Sequence, residues 1–306
     1  MPVSLTSAHI ALSRMCNSRC LYCGIWKERL PGPTCGRLAG VLDQLADNGV
    51  KSVSFTGGEP LLRQDLEAIL EHATKLGMQT SLATNGILLT DDRLASILDS
   101  GLTTLVVSLD SVDPGIYERL RGRPLAPVIE SVLRARQRIS SPRGLAVSAV
   151  MTSLSLPELP RLAAWCSTNS VPLSLQPLHG VWGAEEDGSE LASLRLDPHD
   201  AERVRNTISV VKASGACPNN AEYLEALSEF SIGREVVTRT TCTTGRTSIV
   251  VYWDLGISPC WNLPRLDWGE GIPLKTMLQQ DAYRTLAAQA EALDCPRCWL
   301  ACYHDM

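Results

Sequence analysis

Ser52-Val53-Ser54-Phe55-Thr56-Gly57-Gly58-Glu59-Pro60 reads as a β-strand running straight into a turn with paired glycines. Alternation of small polar and apolar side chains marks the strand, and the two glycines let backbone amides and carbonyls approach a ligand closely. Glu59 adds a fixed negative end suited to an ammonium group. A short glycine turn is most often structural. Here the neighbouring sequence on both sides gives it a further meaning.

Outward from this stretch, one unit repeats. Upstream, Ala8, His9, Ile10, Ala11 and Leu12 read as a first strand, and Leu38, Val41, Leu42, Leu45 and Ala46 recur at helical spacing before Gly49. Downstream, strands are predicted near 79–83, 103–108, 145–151 and 172–177, separated by helices near 63–76, 91–99, 127–138 and 157–168. Six strands alternating with helices predict an α/β fold: a parallel sheet with right-handed crossovers, as either an open doubly wound sheet or a partial barrel. In both, chemistry gathers at the C-terminal strand ends. Thr84-Asn85-Gly86 and Ser108-Leu109-Asp110 fall there, and so does Cys16-Asn17-Ser18-Arg19-Cys20-Leu21-Tyr22-Cys23. Three thiols at this spacing can ligate three irons of a [4Fe-4S] cube and leave the fourth open. The bland alternative, a zinc knuckle, prefers CxxC pairs and four ligands.

Composition bounds the reading. The chain of 306 residues is 44% hydrophobic, with a mean hydropathy of +0.01, which suits one large α/β domain and a smaller appendage. A net charge of -5 and a pI of about 5.6 argue against nucleic acid as partner and mildly favour a neutral or cationic small molecule. No signal-peptide series and no membrane-length apolar run is present, so a cytoplasmic protein without membrane contact is expected. In a reducing compartment, eleven cysteines bunched near residues 20 and 300 suggest metal ligation rather than disulfides.

The strand–helix alternation breaks after residue 178, in the acidic loop Glu185-Glu186-Asp187. Helices are expected after Asp197-Pro198 and over 219–229. Beyond them come Cys242, a strand Ser248–Tyr252, a turn at Asp254-Leu255-Gly256, Cys260, a helix near 273–290, and Cys295-Pro296-Arg297-Cys298 with Cys302 four residues on. Cys242, Cys260, Cys295 and Cys298 can surround a second cube, and a tetrathiolate zinc site has the same geometry. The expected organisation is a core over 1–180, a bridge over 181–235 and a small α+β domain over 236–306.

With these motifs quoted, the chain resembles the radical S-adenosylmethionine superfamily. Its signature is the CxxxCxxC of Cys16, Cys20 and Cys23 with Tyr22 before the last cysteine, and Gly57, Gly58, Glu59 and Pro60 match its methionine-binding motif. The resemblance spans roughly 8–178 and implies a partial (β/α)6 barrel. It implies S-adenosylmethionine chelated by the open iron of one [4Fe-4S] cluster, with reductive cleavage to a deoxyadenosyl radical. Carried over, Glu59 lies near the methionyl ammonium, Ser108, Asp110 and Arg121 near the ribose or carboxylate, and Asn85 on the rim. The C-terminal cysteines resemble SPASM and twitch extensions. One auxiliary [4Fe-4S] cluster, in the shorter twitch form, fits the thiol count, with Cys302 left over.

Members that tailor aminoglycosides, the neomycin epimerase and the butirosin inosamine dehydrogenase, show a similar compact layout. The first strand begins near residue 8, leaving no room in this sequence for a preceding peptide-recognition domain. The first expectation is therefore epimerisation at a carbon of a cationic amino sugar, with Cys217 or Cys302 returning the hydrogen. Two-electron alcohol dehydrogenation through the auxiliary cluster is the second, and maturation of a ribosomal peptide the third. His179, after the sixth strand, is placed for substrate contact or proton transfer. Cys35 and Cys166 read as small buried residues, and His9 as bland. A flavodoxin or ferredoxin as electron donor and a monomeric state complete the expectations.

Overall fold

A computed structural model describes residues 3–179, 189–234, 236, 242–269, 271–295 and 298–299. The acidic loop and Cys302 lie outside the described residues. Eight strands are described: β1 Ser7–Ala11, β2 Ser52–Thr56, β3 Gln79–Thr84, β4 Thr104–Ser108, β5 Leu145–Met151, β6 Leu173–Pro177, β7 Ser248–Val251 and β8 Ile257–Ser258. They form one sheet in the order β6-β5-β4-β3-β2-β1-β7-β8, parallel throughout except for β8, which runs antiparallel to β7.

The helices of the core are α1 Cys35–Asp47, α2 Leu66–Lys75, α3 Asp91–Asp99, α4 Pro114–Arg121, α5 Ala126–Arg138 and α6 Leu159–Thr168. Thr34 and Thr90 cap α1 and α3, each accepting from a backbone N–H three residues on, as short hydroxyl residues do at helix starts. Strand parity explains which side packs. In β2, Val53 and Phe55 are buried while Ser52, Ser54 and Thr56 are partly open; in β5, Leu145, Val147, Ala149 and Met151 are buried while Ser148 and Val150 alternate with them. The apolar set lies against the helices, where Leu38, Leu42, Leu45, Ile69 and Leu70 complete one continuous core. Each fully buried side chain of this size contributes about 1.5–3 kcal/mol. The polar set is left to face the concave side.

The bridge holds α7 Ser189–Leu194, α8 Ala201–Ala213 and α9 Ala221–Ser231, and the C-terminal part holds α10 Leu274–Gln279 and α11 Asp281–Glu291. The single helix expected near 273–290 is two, because Gln280 takes an extended backbone (ψ 143°) between them. The C-terminal part shares the sheet of the core. Its β7 extends the core sheet by pairing with β1, Ser7 to Ser248 through Ile10 to Val251. The Leu274 N–H also donates to Gln44 Oε1 on α1 at 2.6 Å.

Candidate active site

The chain leaves β1 and crosses the C-terminal rim as the cysteine loop, which is laced down on two sides. Toward the glycine turn, the Gly58 N–H donates to the Ser13 carbonyl (2.8 Å) and the Glu59 N–H to the Met15 carbonyl (2.7 Å). Toward α4, the Arg19 N–H donates to the Arg121 carbonyl (3.2 Å) and the Leu21 N–H to the Leu120 carbonyl (2.9 Å). The first pair of contacts requires glycine. A Cβ on Gly58 would collide with the Met15 carbonyl, and one on Gly57, at φ +124°, would stand 2.7 Å from the Ser13 oxygen.

Cys16, Cys20 and Cys23 share one cavity of about 460 Å³ with Tyr22, Gly57, Gly58, Glu59, Asn85, Ser108, Arg121 and His179. Burial pushes the thiols of Cys16 and Cys20 up to about 11 and 12 and raises Cys23 as well, while the Ser18 amide and the Arg121 guanidinium pull toward the thiolate. Three half-buried thiols on one wall, with N–H donors at sulfur and a guanidinium alongside, suit an iron–sulfur cluster. Its cations supply the charge that deprotonates them.

Glu59 is buried, and its carboxylate accepts from the Leu61 N–H (3.0 Å), the Thr84 hydroxyl (2.7 Å) and the Asn85 N–H (2.7 Å). It ties the turn after β2 to the end of β3, and of about four lone-pair positions three are taken. Asn85 in turn donates to Asn17 of the cysteine loop at 2.7 Å. Pro60 opens a single 3-10 turn over Pro60–Leu62 and does not line the cavity.

Asp110 also sits behind the wall, where a ribose or carboxylate contact was expected. It is fully buried, and its carboxylate is saturated by Tyr22, Arg121 and the Val150 N–H. Ser108 and Arg121 do line the cavity. Burial keeps the Tyr22 phenol protonated and hence a donor.

Two aromatic lining residues escaped the sequence reading. His9 on β1 and Trp261, next to Cys260, face the cavity with ring centroids 6.5 Å apart. The available signal for His9 was strand parity, which it shares with Ser54. His179 lines the far side, 6.1 Å from the Phe230 ring, and its Nε2 has no hydrogen-bond partner among the described residues. Burial lowers both imidazoles to about 4, so both are neutral at pH 7.

Around Cys260 the thiols of Cys242 and Cys295 are close enough to raise its pKa further, after burial, to about 11. Cys295 and Cys298 pack on the same apolar cluster as Cys260, Trp261 and Tyr252. Cys217 is elsewhere. The chain after α8 returns to the free edge of β6, where the Leu173 N–H donates to the Ala216 carbonyl and the Leu175 N–H to Asn219. The Cys217 thiol donates to Asn219 Oδ1 at 3.2 Å and faces Cys166 on α6. Cys217, one of the two expected hydrogen donors, is therefore outside the cavity, because the bridge runs back to the start of β6 and not over the rim.

A half-barrel carrying three rim cysteines and a glycine turn beside a second thiol group defines an iron–sulfur enzyme class. The chain belongs to the radical SAM superfamily, which it matches over residues 10–165, half its length. Its cofactors are accordingly S-adenosylmethionine and a [4Fe-4S] cluster. A probable GTP 3',8-cyclase of Methanopyrus kandleri is 38% identical over 51% of this chain and 51% of its own. A PqqA peptide cyclase of Bradyrhizobium diazoefficiens is 37% identical over 39% and 31%. The chain thus spans half or less of the length of these relatives. Among solved structures, Streptococcus suis SuiB bound to precursor peptide SuiA superposes with a TM-score of 0.74 at 20% identity, over 93% of this chain and 67% of that one. BtrN with AdoMet and 2-DOIA reaches 0.54 at 12%, over 97% and 95%. These two likenesses establish the fold. The likeness to BtrN is the weaker of the two and does not bear out the expected kinship with aminoglycoside-tailoring members.

Proposed function

We propose that this chain abstracts a hydrogen atom from a hydroxyl-bearing carbon of a small polar molecule and completes a two-electron oxidation. One observation carries the reading. A single cavity is walled by Cys16, Cys20 and Cys23 on one side and on another by Trp261, whose neighbour Cys260 gathers the second thiol group.

The cluster at Cys16, Cys20 and Cys23, when bound, supplies the electron that turns S-adenosylmethionine into a hydrogen-atom acceptor. Cys242, Cys260, Cys295 and Cys298 would hold an auxiliary [4Fe-4S] cluster, which would serve as a one-electron acceptor; the clustering of these thiols supports this part of the reading. Glu59, Gly57, Gly58 and Asn85 form the methionyl end of the site, and Ser108 and Arg121 the ribose side. His179, neutral and with Nε2 open, takes the hydroxyl proton. The carbon thus loses a hydrogen atom, a proton and an electron, and becomes a carbonyl. A one-electron carrier of the flavodoxin or ferredoxin kind starts the cycle of a monomer.

Epimerisation of an amino sugar needs a hydrogen donor in the cavity, and with Cys217 outside it that reading rests on Cys302. Peptide maturation is supported by the SuiB likeness and the PqqA peptide cyclase relative. Incubation with S-adenosylmethionine and dithionite, in deuterated water, separates the outcomes. Oxidation yields deoxyadenosine and a product lighter by two hydrogens. Solvent deuterium on an inverted carbon would establish epimerisation instead.

A further inference from the structure

The concave face of the sheet carries an unusual chemistry for a buried surface. From β1 to β6 the strands turn His9, Ser54, Ser81, Ser108, Ser148 and Gln176 into the cavity. Registers place several side by side: His9 against Ser54, Ser54 against Ser81, and Ser108 against Ser148. Each hydroxyl both donates and accepts, so the belt apart from Ser108, which stands on the ribose side, can satisfy a ligand rich in hydroxyl or amide groups.

Formal charge is nearly absent. Apart from the cluster thiols, Glu59 and Arg121 are the charged lining residues among those described. Both are spoken for: Glu59 by three donors, Arg121 by a two-pronged pair with Asp110. Among the described residues an ammonium or phosphate on the substrate would find no unpaired counter-charge in this cavity, and an ion taken from water without one is disfavoured.

We infer that the substrate is an electroneutral, hydroxyl-rich molecule, not a free amine and not a phosphate ester. This replaces the cationic sugar expected from the acidic composition: net charge is a property of the whole chain, whereas the belt that would meet the substrate is one of hydroxyls. It rests on the proposed function only in taking this cavity as the substrate's.

Equilibrium dialysis of the cluster-loaded protein with S-adenosylmethionine tests it, using one ring in three charge states: myo-inositol, scyllo-inosamine and myo-inositol 1-phosphate. The neutral ring is expected to bind at least about tenfold tighter than either charged form, which is about 1.4 kcal/mol. Tighter binding of the amine or the phosphate, or equal behaviour of all three, absence of binding included, overturns the inference. Ser81→Asp is expected to shift preference toward the amine, and Ser81→Ala to weaken the neutral ring without that gain. If neither variant moves the ratio, recognition is not on this belt and the inference fails. Deoxyadenosine formation with dithionite is scored separately, so its failure would remove the radical reading while leaving the dialysis result intact.

Discussion

Arg121 grips Asp110 with two parallel hydrogen bonds, Nε to Oδ2 at 2.6 Å and Nη2 to Oδ1 at 2.9 Å. The same carboxylate accepts from the Tyr22 hydroxyl at 2.6 Å and the Val150 N–H at 2.9 Å. One buried group therefore pins the last turn of α4, the cysteine loop and β5. Asp110 acts on the site by positioning these elements.

Asp110→Ala leaves a buried guanidinium unpaired and is expected to cost about 3–5 kcal/mol. Tyr22→Phe removes one hydrogen bond to the same carboxylate, about 1.5–3 kcal/mol. Urea denaturation should rank them in that order, and the reverse order would show that Asp110 is not the hub.

Gly58→Ala drives a methyl into the Met15 carbonyl and should displace the cysteine loop, so that iron incorporation drops. Gly40, inside α1, has open space around its Cα. Gly40→Ala should therefore raise stability by about 1 kcal/mol with iron content unchanged. Equal iron content in both variants would contradict the tight-contact account of Gly58.

Burial lowers His9 and His179 to about 4 from an ordinary 6.5. Between those values the unfolded chain binds protons that the folded chain does not, so stability falls as pH drops below 6.5 and the loss is complete below about 4. A shift of this size corresponds to at most about 3.4 kcal/mol per histidine. Urea midpoints of the unloaded protein at pH 7 and pH 4.5 should converge in His9→Gln relative to the parent. A parallel fall in both would assign the acid lability to other groups.

Much of this was legible in sequence, and the remainder for identifiable reasons was not. Strands β2 and β5 and helix α3 fall where the sequence places them, because local pattern and local structure agree. Helix α4 entered the sequence reading only through Arg121. Its start is set by the Asp113 cap and its stop by Gly122 in the left-handed region, signals too short to give a period. The pairing of β7 with β1 joins residues over 200 positions apart, and no local pattern encodes that. The residue types at Glu59 and Asp110 were found, but not the direction of their oxygens, since that depends on donors from β3, α4 and β5. Cys217 was misplaced for the same reason: loop length does not say which end of a strand the chain returns to.

Cys260 offers the last test, since it separates the two thiol groups. It is buried behind Trp261, which meets Tyr252 edge-on at 5.3 Å, so its loss should disturb the second thiol group without reaching the cysteine loop. Cys260→Ala is expected to lower iron from roughly eight to roughly four atoms per chain and to abolish the two-hydrogen mass loss of the substrate. Deoxyadenosine formation should persist, because Cys16, Cys20 and Cys23 are untouched. Cys16→Ala should abolish both. If Cys260→Ala still releases fully oxidised product, the second thiol group is structural and the electron leaves by another route.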